Sequence, residues 1–107
     1  MTAATDRFVV DPAHPSLPGH FPGQPVVPGV VVLDRVLAAI EATYGPLGPI
    51  RLPQVKFVQP LLPGQPARIA LDAIADAGAA PRRWKFRVLR EDAVIATGEA
   101  HAVERAP

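Results

Sequence analysis

Residues 19–44 read GHFPGQPVVPGVVVLDRVLAAIEATY, and the change of character at Pro28-Gly29 organises the rest of the chain. Upstream, the span from Pro12 to Pro28 holds six prolines. Each ring removes a backbone donor and biases the preceding residue away from helix, so this stretch is predicted to lack regular structure. A loop of that length is more often functional than incidental. Downstream the prolines stop, and a helix is predicted from Pro28 or Gly29 to Tyr44. Proline is acceptable in a first turn whose N–H groups would be unpaired anyway, and Gly45-Pro46 is a credible stop. At about 100° per residue, Val30, Leu33, Val36, Leu37 and Ile40 form one apolar stripe. Val31 and Val32 extend it almost around the first turn, so that end is predicted to be buried on more than one side. Asp34 sits at the flank of the stripe, beside Val30 and Leu37.

Outward from this segment the period changes. Phe8-Val9-Val10 reads as a short opening strand. After Pro53, Val55 and Phe57 alternate with Lys56, and Pro60-Leu-Leu-Pro-Gly64 makes a sharp connection. Residues 67–74 alternate moderately, with Ile69 and Leu71 against Arg68 and Asp72. Residues 83–90 alternate strongly, with Trp84, Phe86 and Val88 against Arg83, Lys85 and Arg87. Ala93–Val103 reads as a last strand after a Glu91-Asp92 turn. One helix followed by an antiparallel meander is an α+β arrangement.

Composition bounds the function. A chain of 107 residues fits a single domain spanning 1–107 and is small enough that oligomerisation is a common remedy for its limited core. Cysteine is absent, which excludes disulfides and thiolate metal sites. Apolar runs are far too short for a membrane span, and no basic-then-apolar leader opens the chain, so a cytoplasmic location without membrane insertion is expected. A net charge of +1 shows no global preference for nucleic acid or membrane.

The stretch from Gly19 to Asp34 carries chemistry. His20 is a base whose ordinary pKa lies near neutrality. Gly29 offers a backbone N–H at a helix N-terminus, where free donors and the dipole favour a developing oxyanion. Asp34 lies one turn into an apolar helix, where desolvation would favour the protonated acid. A base, an oxyanion donor and an acid suit elimination of water from a 3-hydroxy thioester.

The same stretch resembles the signature of the bacterial 3-hydroxyacyl-[acyl carrier protein] dehydratases, a His-Phe-x-Gly-x-Pro-Val-x-Pro-Gly loop running into a central helix. His20, Phe21, Gly23, Pro25, Val26, Pro28 and Gly29 match it, as does the 14-residue step to Asp34. The likeness continues through Val55-Lys-Phe-Val-Gln-Pro60 and Leu62-Pro-Gly64. It implies a hotdog fold, one central helix wrapped by a curved antiparallel sheet, and a homodimer with active sites at the subunit interface. His20 of one protomer would face Asp34 of the other, with the Gly29 N–H on the thioester carbonyl. The Val26 carbonyl would orient the imidazole, and Phe21 and Pro28 would lie beside the substrate. The partner implied is acyl carrier protein. No cofactor is expected, since the phosphopantetheine arm belongs to the substrate.

Two departures stand out. Ala38 occupies the position one turn after the acid where the family commonly carries Gln. The short chain and the Asp acid are similar to the hotdog dehydratase-like proteins of aryl polyene and related pigment pathways. Rival readings are a catalytically weak subunit that binds acyl carrier protein or completes a heterodimer, and an acyl thioesterase. His14 and His101 lack partners at ligand spacing, so no metal is expected. The basic run Arg82, Arg83, Lys85, Arg87 and Arg90 reads as a solvated strand face that could dock an acidic carrier protein. Trp84 and Phe86 fall opposite the basic side chains, which argues against nucleic acid. With Phe57, they are expected in the core, although some could line an acyl tunnel.

Overall fold

The computed structural model describes residues 2–11, 26–46, 48–74 and 82–103. In chain order these form β1 (Thr2–Phe8), α1 (Gly29–Tyr44), β2 (Ile50–Phe57), β3 (Ala67–Ala73), β4 (Arg83–Arg90) and β5 (Ala93–Ala102). The strands make one antiparallel sheet in the order β1-β3-β4-β5-β2. The helix therefore joins the two opposite edges of the sheet. Its 16 residues span about 24 Å, enough to bridge five strands spaced about 4.8 Å apart. One helix on a five-stranded antiparallel sheet is the expected α+β hotdog arrangement.

The core lies between α1 and the inner face of the sheet. From the helix it takes Val31, Val32, Val36, Ala39 and Ile40. From the strands come Ile69, Leu71, Trp84, Phe86, Val88 and Ile95, each no more than 1% exposed. Alternation in β4 divides this strand cleanly, with Trp84, Phe86 and Val88 buried and Arg83, Lys85 and Arg87 exposed. Large side chains buried this fully are each worth roughly 1.5–3 kcal/mol.

Three expectations need correction. The opening strand ends at Phe8 rather than running through Val10, because its backbone pairs with β3 from Thr2↔Asp72 to Phe8↔Ala67. Pairing on an edge asks for no apolar alternation, so pattern alone missed it. Val10 is nevertheless buried, and its carbonyl accepts the Gly64 N–H at 2.8 Å. Second, β2 starts at Ile50 and carries Pro53 inside it. The strand lies at the sheet edge and shifts register between Arg51 and Gln54, the setting in which a residue without an N–H is tolerated. Gly98 of β5 accommodates that irregularity, since any Cβ there would collide with the Gln54 carbonyl. Third, Val30 is 63% exposed, although Val36 and Ile40 of the same stripe are fully buried and Leu33 packs against the core. Three consecutive valines make the first turn apolar all round, and periodicity could not choose among its sides.

Candidate active site

The start of α1 opens onto a cleft. Pro28 is the N-cap residue, with φ −59° and ψ 144°, and has no side chain to cap the helix. The first helical bonds are those of the Val31 and Val32 N–H groups to the Pro28 carbonyl, at 3.0 and 3.3 Å. The amides just before them, at Gly29 and Val30, belong to the set that a helix leaves without intrahelical partners. Beside them lies a cleft of about 510 Å³ lined by Val26, Val27, Pro28, Gly29, Phe57 and Leu61, among others. Three of the residues expected near substrate, Val26, Pro28 and Gly29, thus share one cavity wall.

Gly29 permits a close approach here. A Cβ on it would come within 2.7 Å of the Phe57 ring, which lies directly over the first turn. Phe57 is 50% exposed, not a core residue as expected, and together with Val58 at 48% it leaves an apolar surface at the β2 edge. The opposite wall is the connection from β2 to β3. It is tied to the helix entrance by the Val27 N–H, which donates to the Leu61 carbonyl at 2.8 Å.

Asp34 does not line this cleft. Its carboxylate is exposed, on the same helix face as Val30 and Ala38, and it has no hydrogen bond or ion pair among the described residues. Arg35, its sequence neighbour, turns away and sits over the Phe8 ring at 5.7 Å. None of the described residues lining the cleft carries a titratable side chain. His20, Phe21 and His14 lie outside the described residues.

Elsewhere, His101 Nε2 lies 3.1 Å from Glu99 Oε1, an acidic neighbour that the sequence reading overlooked. The basic run also divides. Arg83, Lys85 and Arg87 face outward, with Lys85 between Asp72 and Glu99 on the neighbouring strands. Arg90, at the end of β4, instead reaches the connection that walls the cleft, with Nη1 3.0 Å from the Pro60 carbonyl. Sequence reasoning missed Leu61 and Arg90 as parts of this region, and offered Phe57 only as one of three aromatics that could line an acyl tunnel. The Pro60–Gly64 turn signal was visible, but what it would pack against was not.

Comparison with known proteins bears on this site. The family model described as ApeI-like, ApeI dehydratase, matches residues 2–99. A 3-hydroxyacyl-[acyl-carrier-protein] dehydratase FabZ from Acidiphilium cryptum is 32% identical over 92 residues, covering 77% of this chain and 54% of the relative. The chain thus spans about half the length of that curated relative. Among solved structures, the dehydratase heterocomplex ApeI:P from Xenorhabdus doucetiae aligns with a TM-score of 0.74 at 22% identity, covering 94% of this chain and 95% of that one. The fluoroacetyl-CoA thioesterase FlK aligns with a TM-score of 0.64 at 18% identity over 94% of this chain and 84% of its own. At those identities both structures speak to the fold alone.

Proposed function

We propose that this chain, which belongs to the ApeI-like dehydratase family, removes water from 3-hydroxyacyl thioesters carried on acyl carrier protein, giving trans-2-enoyl thioesters. The observation that carries the reading is the start of α1, without a side-chain cap from Pro28, opening onto an apolar cleft to which the described residues bring no acid. A thioester carbonyl set at the Gly29 amide would be polarised by that donor and by the helix dipole. His20 would take the proton from the carbon next to the carbonyl. As the double bond forms, the carbon–oxygen bond at C3 breaks, and the hydroxyl leaves as water with the proton of Asp34. Val26 would offer its carbonyl to orient the imidazole. Phe21 and Pro28 would flank the acyl group. The phosphopantetheine arm comes with the substrate, so no cofactor is invoked.

The acid would come from a second copy of the chain. Asp34, Val30 and Ala38 share an exposed helix face, and Phe57 and Val58 expose apolar surface at the β2 edge. Covering both would pair two sheets by their open edges and take Asp34 out of water. A homodimer is the assembly proposed. The carrier protein, as an acidic partner, would be drawn to the outward Arg83, Lys85 and Arg87 of β4. A cytoplasmic location fits this substrate, and no described helix is long and apolar enough to cross a membrane. The thioesterase reading gains nothing from the FlK likeness, which is one of fold.

The test supplies a 3-hydroxyacyl thioester and follows enoyl absorbance and free thiol together. Wild type should form enoyl product without thiol release. His20→Ala and Asp34→Asn should each lose about 10²–10⁴-fold in kcat, the usual worth of general acid–base catalysis. Thiol release from wild type, or full activity in either variant, would overturn the reading.

A further inference from the structure

One wall of the cleft is held from the end of β4. Gln59, Pro60 and Leu61 all line the cavity, and Leu61 is 2% exposed. This connection contains Pro60 and Pro63, which have no N–H to donate, so it can fix itself through few backbone bonds. Val58 and Gln59 donate to the Ile95 carbonyl at one end, and Gly64 donates to the Val10 carbonyl at the other. Between these anchors the Leu61 carbonyl is bonded to the Val27 N–H, and the other holding group is a cation. Arg90 Nη1 donates to the Pro60 carbonyl at 3.0 Å and lies 3.3 Å from Gln65 Oε1. Its Nη2 reaches Gln59 Oε1 at 3.4 Å. Gln65 Oε1 in turn accepts the Leu62 N–H at 2.9 Å.

These contacts share one logic. The planar fork of a guanidinium spreads its donors over acceptors on both sides of the Pro60–Gly64 turn, which a single ammonium cannot reproduce. The turn then carries Leu61 to the helix entrance, where its carbonyl receives the Val27 N–H at 2.8 Å. Displacing it would move the wall facing Gly29.

We propose that Arg90 is a positioning residue that sets the width of the acyl cleft, and with it substrate affinity and chain-length preference. The identity of the ligand rests on the dehydratase reading. The contribution of Arg90 does not depend on turnover.

The experiment measures binding of saturated butanoyl and decanoyl N-acetylcysteamine thioesters by calorimetry, to wild type, Arg90→Ala, Arg90→Lys and Gln65→Leu. These probes cannot eliminate water and carry neither phosphate nor carrier protein, so a role of Arg90 in docking either would not register. Arg90→Ala should bind the decanoyl probe roughly tenfold more weakly, in keeping with the cost of small misplacements in binding sites. The butanoyl probe should change less, and Gln65→Leu should move in the same direction. Arg90→Lys should recover less than half of the loss. With a 3-hydroxyacyl substrate, KM should rise while kcat stays within about twofold. The proposal is overturned by Arg90→Ala affinities within twofold of wild type, by full rescue with lysine, or by a fall in kcat at constant affinity. It is also overturned if wild type binds neither probe. Wild type that binds both probes without dehydrating any substrate would sink the proposed function alone, leaving Arg90 to be judged on affinity.

Discussion

The two halves of α1 sit in opposite surroundings. In the C-terminal half, Ile40 is fully buried and Ala39 nearly so, and Tyr44 meets Trp84 with ring centroids 5.2 Å apart. In the first turn, Val30 is 63% exposed, and nearby Phe57 and Val58 are about half exposed at the edge of the sheet. The first region completes its packing within one chain. The second carries comparable apolar surface and does not, and it is also where the cleft and the uncapped helix start lie. Apolar surface that a chain leaves uncovered beside a cavity, on an open sheet edge, calls for another molecule.

The contrast can be broken by mutation. The largest effect is expected at the closed end: Trp84→Ala should cost about 3–5 kcal/mol of unfolding free energy in a denaturant titration, because the void cannot collapse. A cost below about 1 kcal/mol would mean that this end is not the packed core. Next, Phe57→Asp should weaken self-association about 30-fold (about 2 kcal/mol, the scale of an interface hot spot) in sedimentation measurements, with circular dichroism unchanged. Unaltered association would remove the β2 edge from the interface.

Gly29→Ala presses a methyl group against the Phe57 ring and should cost about 1–3 kcal/mol in stability, as overpacking does. Adding Phe57→Leu should return part of that loss, and a cost that persists undiminished would place the strain elsewhere. The smallest effect belongs to Tyr44→Phe. The Tyr44 hydroxyl is buried without a hydrogen-bond partner among the described residues. Its removal should leave thermal stability unchanged or raise it by up to about 1 kcal/mol, whereas a loss above that would reveal a partner.

Much of the fold was legible because its signals are local. The bounds of α1 followed from Pro28, the proline-free run after it and Gly45, whose φ of 84° ends the helix. The span of β4 followed from its strict alternation, which the core uses as read. Edge strands were harder. For β1, held by backbone pairing to β3, the reading began too late and ran past Phe8. For β2, Pro53 looked like a boundary and is instead an irregularity on an edge. In the site, the helix start and Gly29 were legible because Pro28 and the glycine have strong backbone meanings. The place of Phe57 against Gly29 and the grip of Arg90 were not, since each acts through a neighbour distant in sequence.

The order of residues by itself determined where the helix begins and ends, which side of β4 faces inward, and which dehydratase-like signature leads into the helix. Those features depend on backbone stereochemistry and on periods of a few residues. Only the tertiary structure decided which side of an all-apolar first turn is covered, that the Phe57 ring rests on Gly29, and that Arg90 bends away from a basic strand face to grip the cleft wall. Such outcomes depend on contacts between segments that the chain keeps far apart until the sheet brings them together.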